Sequence, residues 1–339
     1  MEPVVIETGG SSGIPKKVVL SRAAIDASTV MANEALGGPG QWVLALPENY
    51  VAGLNVVERN AVSGAELIRM EGTFTPEHFV EALDKMSHER RYTSLVPTQL
   101  ARLVDAAWLD RSFIQPVRSF DRILLGGQAP PPGLVERATQ LGWKITRTYG
   151  ATETCGGCIW EGRVIGNTKI RLTDQIEIAS DTLADGYLDN PSLTAERFVD
   201  GLDGVRWYRT GDAGSMIGGQ LHVTGRLDDV IISGGINVSL GAVERIVQSF
   251  ASDAVVVPGP DPEWGQVPVV VTTMRPDLGE IRAAVANSLG KAARPNHVLT
   301  VSTIPRMISG KPDRKRLTDL VRKRSSFKTQ KRRSAPWIR

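Results

Sequence analysis

The stretch Thr8-Gly9-Gly10-Ser11-Ser12-Gly13-Ile14-Pro15-Lys16 gathers three glycines, three hydroxyls and a lysine in nine residues. Glycines let backbone N–H groups approach phosphate oxygens, hydroxyls donate further hydrogen bonds, and the ammonium adds charge. That composition suits a loop wrapped around a polyphosphate. No G-x-x-x-x-G-K-[ST] spacing can be drawn through it, so it is not a Walker A loop. Taken alone, it also reads as a flexible connector. Further on, Tyr149-Gly150-Ala151-Thr152-Glu153-Thr154 follows a β-rich run, which places it at a strand's carboxyl end, where α/β sheets bind ligands. Tyr149 offers a stacking face there, and Glu153 a carboxylate able to hold Mg²⁺ through a phosphate-rich substrate. The alternative is a capped turn.

Tyr208-Arg209-Thr210-Gly211-Asp212 puts an acid after a glycine turn, where it can accept from both hydroxyls of a ribose, although Thr-Gly-Asp is also a common turn. Gly225-Arg226-Leu227-Asp228-Asp229 and Gly234-Gly235-Ile236-Asn237-Val238 come next. Late in the chain, Pro305-Arg306-Met307-Ile308-Ser309-Gly310-Lys311 carries one lysine behind a Ser-Gly pair. Such an ammonium can reach into a distant site and neutralise developing charge, or simply sit solvated on the surface. Cys155-Gly156-Gly157-Cys158 has neither a second cysteine pair nor a histidine at zinc-ligand spacing, and reads as two reduced thiols lining a pocket. His78, His88, His222 and His297 are scattered, and no Ser/His/Asp set emerges.

Alternating strands and helices must position these groups. Strands are expected at 42–46, 66–70, 92–96, 122–125 and 144–148, with helices at 22–36, 76–86, 97–108 and 132–141. This alternation is that of a parallel β-α-β sheet covered on both faces. Thr75 followed by Pro76 marks a helix start. Beyond Ile165, β-like runs at 169–178 and 220–224 are separated by turns. After Arg226 a small α+β unit follows, with strands at 230–233, 254–257 and 267–273 and helices at 239–250 and 278–289. The expected division is a large domain over 1–226, a small one over 227–320 and a basic tail over 321–339.

The 339 residues are 41% hydrophobic and 23% charged, the balance of a globular chain with a sizeable core. No apolar run reaches membrane-helix length, no secretory signal is visible at the amino terminus, and the cytoplasm is the default location. Residues 314–339 carry a net charge of +10, which leaves −7 on the remainder. With only Phe327 and Trp337 interleaved, that basic stretch reads as a solvated, frayed terminus and not as a nucleic-acid surface.

Singly these motifs are weak, but their succession, with Gly126-Gly127-Gln128-Ala129-Pro130 between the first two, resembles the acyl-adenylate-forming ligases. That superfamily includes acyl- and aryl-CoA synthetases, adenylation domains and firefly luciferase. The likeness runs from Glu7 to about Leu320. The short length, residues 91–100, Thr152-Glu153-Thr154-Cys155, residues 36–42 and Arg147-Thr148-Tyr149-Gly150 look most like the compact bacterial o-succinylbenzoate–CoA ligases of menaquinone biosynthesis.

The resemblance implies an α/β fold, with a large multi-sheet N-terminal domain and a small mobile α+β C-terminal domain. It implies ATP, Mg²⁺ and coenzyme A, and a small carboxylate, 2-succinylbenzoate, as substrate. Thr8, Ser11, Ser12 and Lys16 would hold the β- and γ-phosphates, while Gly127, Gln128, Ala129 and Tyr149 would line the adenine pocket. Thr152 would contact the α-phosphate, Glu153 would bind Mg²⁺, and Asp212 the ribose. Arg226 matches a nucleotide-contacting position and Asp228 the hinge. Lys311 would bridge carboxylate and phosphate during adenylation. Gly234 and Gly235 would flank the pantetheine tunnel. Arg91, Thr93, Arg147 and the Cys155–Cys158 stretch are pocket-wall candidates, since a guanidinium suits a second carboxylate.

Three departures stand out. Gly9 replaces a common serine, and Asn49-Tyr50 falls where histidines are frequent. The phosphate loop also begins at residue 8, as in an unusually short member or a chain whose start was assigned too late. Another acyl-CoA ligase, a carrier-protein-loading enzyme and a non-catalytic nucleotide-binding relic are the alternatives, and a homo-oligomer is left open.

Overall fold

Trp42-Val43-Leu44 and Ile123-Leu124-Leu125 are apolar on both faces of their strands, and the chain satisfies them by sandwiching the sheet between helices. The computed structural model describes residues 2–9, 15–307 and 310–333. Elements run β1 (Val4–Gly9), β2 (Pro15–Leu20), α1 (Arg22–Leu36), β3 (Gln41–Leu44), α2 (Val51–Ser63), β4 (Ile68–Arg69), α3 (Pro76–Leu83) and β5 (Arg91–Leu95). Then come α4 (Pro97–Leu109), α5 (Ile114–Arg118), β6 (Arg122–Leu125), α6 (Leu134–Gln140), β7 (Ile145–Ala151), β8 (Gly156–Trp160) and β9 (Arg163–Val164). The chain clusters into two units, Met1–Val223 and Thr224–Arg339.

In the larger unit, a seven-stranded sheet has the order β4-β3-β5-β6-β7-β8-β9. Strands β3 to β7 pair parallel, and β8 turns back antiparallel on β7. The period-2 alternation of a strand sorts its residues by face. Val43, Ile123 and Leu125 pack with Phe79, Leu100, Leu103 and Phe120 from α3, α4 and the α5 region, while Trp42, Leu44 and Leu124 pack with Ala32 of α1 and Val56 of α2. A two-pronged ion pair from Arg22 to Glu58, at 2.9 and 2.6 Å, ties α1 to α2.

Helix α2 is absent from the expectations above. Its buried face carries Gly53, Asn55, Arg59 and Asn60 beside Val56, which hides the apolar periodicity. The run expected at 169–178 is instead a hairpin, β10 (Lys169–Leu172) and β11 (Ile176–Ala179), because Thr173-Asp174-Gln175 turns the chain. Next come β12 (Gly186–Tyr187), α7 (Pro191–Arg197), β13 (Phe198–Asp200), β14 (Arg206–Arg209), β15 (Asp212–Ile217) and β16 (Gln220–Arg226). Strands β10, β11, β14 and β13 form a four-stranded sheet, and β1, β2 and β12 a three-stranded one.

The smaller unit contains β17 (Val230–Ser233), β18 (Ile236–Ser239), α8 (Leu240–Val247), β19 (Val255–Asp261), β20 (Gly265–Thr272), α9 (Leu278–Leu289), β21 (Val298–Thr300) and α10 (Arg314–Arg333). Its sheet has the order β18-β17-β20-β19, with β21 parallel to β20. Val256 and Val270 face α8 and α9, whereas Val255, Val257, Val269 and Val271 face Leu317 and Val321 of α10. The basic stretch is therefore anchored at its beginning: α10 runs past Leu320, and Val321 is fully buried. No helix among the described residues is long and apolar enough to cross a membrane.

Candidate active site

The carboxyl ends of β6 and β7 lie side by side and carry two of the singled-out motifs. After β6, the Gly126 N–H donates to Leu95 O at the end of β5, and Gly127 adopts φ +86°. A Cβ on Gly126 would sit 2.6 Å from Thr148 Oγ1, so only glycine lets this turn lie flat against β7. Gln128 and Ala129 continue the turn. At the end of β7, Tyr149 donates from its hydroxyl to Asp212 Oδ2 at 2.5 Å. Asp212 is itself held by its N–H to Thr210 Oγ1, at 3.0 Å. Burial, then the Asp212 charge, pushes the Tyr149 phenol well above its usual range, so it stays a donor. The proposed adenine face and ribose acid are thus in direct contact.

Thr152-Glu153-Thr154 forms a 3-10 turn directly after β7. Thr154 Oγ1 accepts from Ala151 N at 2.8 Å and donates towards Gly156 O at 2.8 Å, closing the turn on itself. Cys155 follows in the left-handed region, φ 48°, and its carbonyl accepts from Ser28 Oγ of α1 and Asn55 Nδ2 of α2 at 3.0 and 2.8 Å. Glu153 is buried, and its Oε1 accepts the Tyr187 hydroxyl at 2.7 Å. Burial and the Glu153 charge raise the Tyr187 phenol, which keeps it protonated. Lys16 Nζ lies 5.8 Å from the centre of the same Tyr187 ring. Strand pairing puts Thr8 opposite Lys16, and Thr8 Oγ1 reaches Lys16 O at 3.4 Å. Lys16 and Glu153 therefore meet at one segment, 184–187, with Thr8 paired to Lys16 and Thr152 next to Glu153 in the chain; Ser11 and Ser12 lie outside the described residues.

No group of three or more His, Cys, Asp or Glu that could hold a metal occurs among the described residues. Glu153 instead presents one hard carboxylate, with Oε1 already hydrogen-bonded. That donor set fits a Mg²⁺ carried in by phosphate oxygens and water, and does not fit an all-protein cage.

In the smaller unit, Arg226 makes a bidentate pair with Asp228 at 2.8 and 3.1 Å. Gly234 and Gly235 form the two-residue turn of the β17–β18 hairpin, both at positive φ (57° and 82°), as such a turn requires. A Cβ on Gly234 would meet the Trp264 ring at 2.4 Å. Lys311 is exposed, and its carbonyl accepts from Met307 N at 2.8 Å.

Several pocket-wall candidates are engaged elsewhere. Arg147 is clamped by Glu161 at 2.6 to 2.8 Å. Arg91 donates to the carbonyls of His88 and Met86, both at 3.2 Å, and lies at the amino end of β5, opposite the ligand end. Thr93 is buried and donates to Val43 O at 3.0 Å. Cys155 and Cys158 sit in two different apolar clusters, so neither forms a pocket wall as a reactive thiol. Burial lifts Cys155 to about 11 and Cys158 to about 12.

Two residues were not singled out in the sequence. Tyr187 is one. The other is Arg59 of α2, one turn beyond Asn55, whose guanidinium is buried over the Trp42 ring at 5.7 Å. Its Nε has no hydrogen-bond partner, and no carboxylate pairs with it among the described residues. Burial lowers its proton affinity to about 10, with Cys155 the nearby group opposing that shift. A buried cation of this kind is costly unless an anion arrives to pair with it.

The AMP-binding enzyme family model matches residues 4–179, and that of the AMP-binding enzyme C-terminal domain matches 247–311. A probable 2-succinylbenzoate–CoA ligase of Mycobacterium tuberculosis (strain CDC 1551 / Oshkosh) is 33% identical over 325 residues, covering 92% of this chain and 82% of the relative. The o-succinylbenzoate CoA synthetase of Bacillus subtilis, solved with its acyl-adenylate intermediate OSB-AMP, superimposes with a TM-score of 0.79 at 26% identity. That match covers 93% of this chain and 68% of the other. An amide bond synthetase from Marinactinospora thermotolerans gives the same TM-score and identity over 94% and 68%. The first family model spans the seven-stranded sheet, the Gly126–Gly127 turn, Tyr149 and Glu153, and the second spans most of the smaller unit, so this chain belongs to the AMP-binding enzyme family.

Proposed function

We propose that the chain is a 2-succinylbenzoate–CoA ligase of menaquinone biosynthesis, acting in the cytoplasm with ATP, Mg²⁺ and coenzyme A. A free carboxylate is a poor acyl donor because it lacks a leaving group. Attack of the substrate carboxylate on the α-phosphorus of ATP forms an acyl-adenylate and expels pyrophosphate; the CoA thiol then displaces AMP. The names of the relatives support this reaction, and Arg59 is the observation that carries the choice of acid. A dicarboxylate has one carboxylate to activate and a second to anchor, and a buried guanidinium without an anionic partner suits the second.

In this reading Tyr149, with Gly127, Gln128 and Ala129, holds the adenine, and Asp212 accepts from the ribose hydroxyls. Thr8 and Lys16, with Ser11 and Ser12, grip the β- and γ-phosphates. Thr152 donates to the α-phosphate, while Glu153 offers a carboxylate oxygen to Mg²⁺, whose charge offsets that of the phosphates. Lys311 neutralises the approaching carboxylate and phosphate during adenylation, and Asp228, paired with Arg226, marks the hinge of a mobile smaller domain spanning 227–320. Gly234 and Gly235 leave room for pantetheine.

The test is mass spectrometry of the products from purified protein, Mg·ATP, CoA and a panel of acids. 2-Succinylbenzoyl-CoA, with little product from benzoate or fatty acids, is the expected result. Turnover of a monocarboxylic acid in preference to the dicarboxylate would overturn the assignment of the acid, and silence with every acid would overturn the reaction. The equal likeness to an amide bond synthetase favours one second reading, in which an amine takes the acyl group; an amide formed in place of the thioester when both acceptors are supplied would select it.

A further inference from the structure

We infer that Tyr187 is a positioning residue that sets the metal-facing carboxylate of Glu153 and the ammonium of Lys16 from one side chain; this rests on the reading of the site given above. Three sets of contacts converge on it. Its hydroxyl donates to Glu153 Oε1 at 2.7 Å, which fixes the carboxylate's rotation and leaves Oε2 for the metal. The face of its ring lies 5.8 Å from Lys16 Nζ, a distance at which the aromatic quadrupole attracts a cation. Its backbone is locked. Tyr187 pairs with Val18 and Gly186 with Val19 of β2, the strand that carries Lys16, and Tyr187 N donates to Thr194 Oγ1 at 2.9 Å. The same segment reaches the backbone of Glu153 as well, through Ala184 N to Glu153 O at 2.9 Å.

A purely structural role would need only the ring. Packing against Phe198, at 6.0 Å between centroids, would be served equally by phenylalanine. The hydroxyl serves Glu153, to which it donates, with Tyr208 hydrogen-bonded to the same hydroxyl oxygen. Groups that orient a metal ligand through its other atom are typically worth about 10- to 100-fold in metal affinity. The ring and the hydroxyl therefore do separable jobs, which two variants can divide.

The experiment titrates Mn²⁺ by electron paramagnetic resonance with the full chain and α,β-methylene-ATP, and separately measures binding of that nucleotide with EDTA present. Tyr187→Phe should weaken Mn²⁺ binding about 10-fold or more, leave metal-free nucleotide affinity within about twofold, and lower the melting midpoint by only a few degrees, the cost of one hydrogen bond lost at a buried carboxylate. Tyr187→Leu should lose metal-free nucleotide affinity in addition, because Lys16 loses its platform. On a Glu153→Gln background, Tyr187→Phe should add little. Should Tyr187→Phe not fold, 3-fluorotyrosine at position 187 is a near-isosteric probe. Its ¹⁹F resonance should move when Mg²⁺ joins the nucleotide complex, and a resonance indifferent to Mg²⁺ overturns the inference. Wild-type protein that binds no Mn²⁺ with the nucleotide sinks the underlying reading, whereas wild type and Tyr187→Phe binding it equally sinks the role of Tyr187 alone.

Discussion

Replacing Arg59 with methionine should move stability and activity in opposite directions. Methionine keeps much of the volume and removes the charge. Burial lowers the guanidinium from 12.5 to about 10, so holding it charged in the unliganded protein costs about 3 kcal/mol. Its position over the Trp42 ring, 5.7 Å from the centroid, returns about 1 kcal/mol of that. The variant should thus be more stable by about 2 kcal/mol, a rise of about 4–8 °C in the midpoint of a unit this size. The dicarboxylate, by contrast, loses a buried charge partner worth about 2–5 kcal/mol, which corresponds to a fall in kcat/KM of about 30-fold or more. Benzoate, with nothing to anchor, should change by less than about threefold on the same energy scale. A melting curve and pyrophosphate release with both acids measure these quantities. A less stable variant whose preference between the two acids is unchanged would show that Arg59 is a structural group, and the dicarboxylate argument would fall.

Other perturbations test neighbouring parts of the account. Lys311→Ala should depress adenylation about 100-fold or more while sparing thioester formation from supplied acyl-adenylate; equal loss in both half-reactions would remove its assigned role. Gly150→Ala places a Cβ 2.1 Å from Gly156 O, so β7 and β8 must part, and about 3 kcal/mol of stability should be lost; a wild-type midpoint would contradict that geometry. Burial raises both thiols above their unfolded value, so their neutral forms contribute stability below about pH 9 that is lost as the pH climbs through 11 to 12. At pH 8 a disulfide reagent should therefore register no thiol in folded protein and two after denaturation, and rapid labelling of native protein would refute that burial.

The parallel sheet was legible because its strands are short, apolar and separated by helices, and α1 and α9 match the expected spans. Helix α2 was not, although it carries Arg59: Asn55, Arg59 and Asn60 face inward, and a buried polar face looks in sequence like a solvated one. The motifs at Tyr149–Glu153 and Asp212 were readable singly, but their contact joins strands 63 residues apart, a pairing no local pattern encodes. Tyr187 was missed for the same reason. Its two-residue strand has no periodicity, and its meaning comes wholly from the Lys16 and Glu153 that it meets. The opposite error came from chemistry read without topology. Arg91 and Arg147 looked fit for a carboxylate, but one lies at the wrong end of its strand and the other is held by Glu161.

The pairing of Tyr187 with Val18 has a temporal consequence. The two residues are about 170 positions apart, and at roughly 5–20 residues per second a ribosome takes on the order of ten to thirty seconds to travel between them. During that interval the β1–β2 hairpin is on hand as a local structure while its third strand does not yet exist, and its β2 edge is open to solvent and to other chains. The three-stranded sheet is thus completed only once the intervening chain has been made, by a two-residue strand. Slowing translation before Tyr187 prolongs that exposure, and a circular permutation that brings β12 next to β2 in sequence removes the wait.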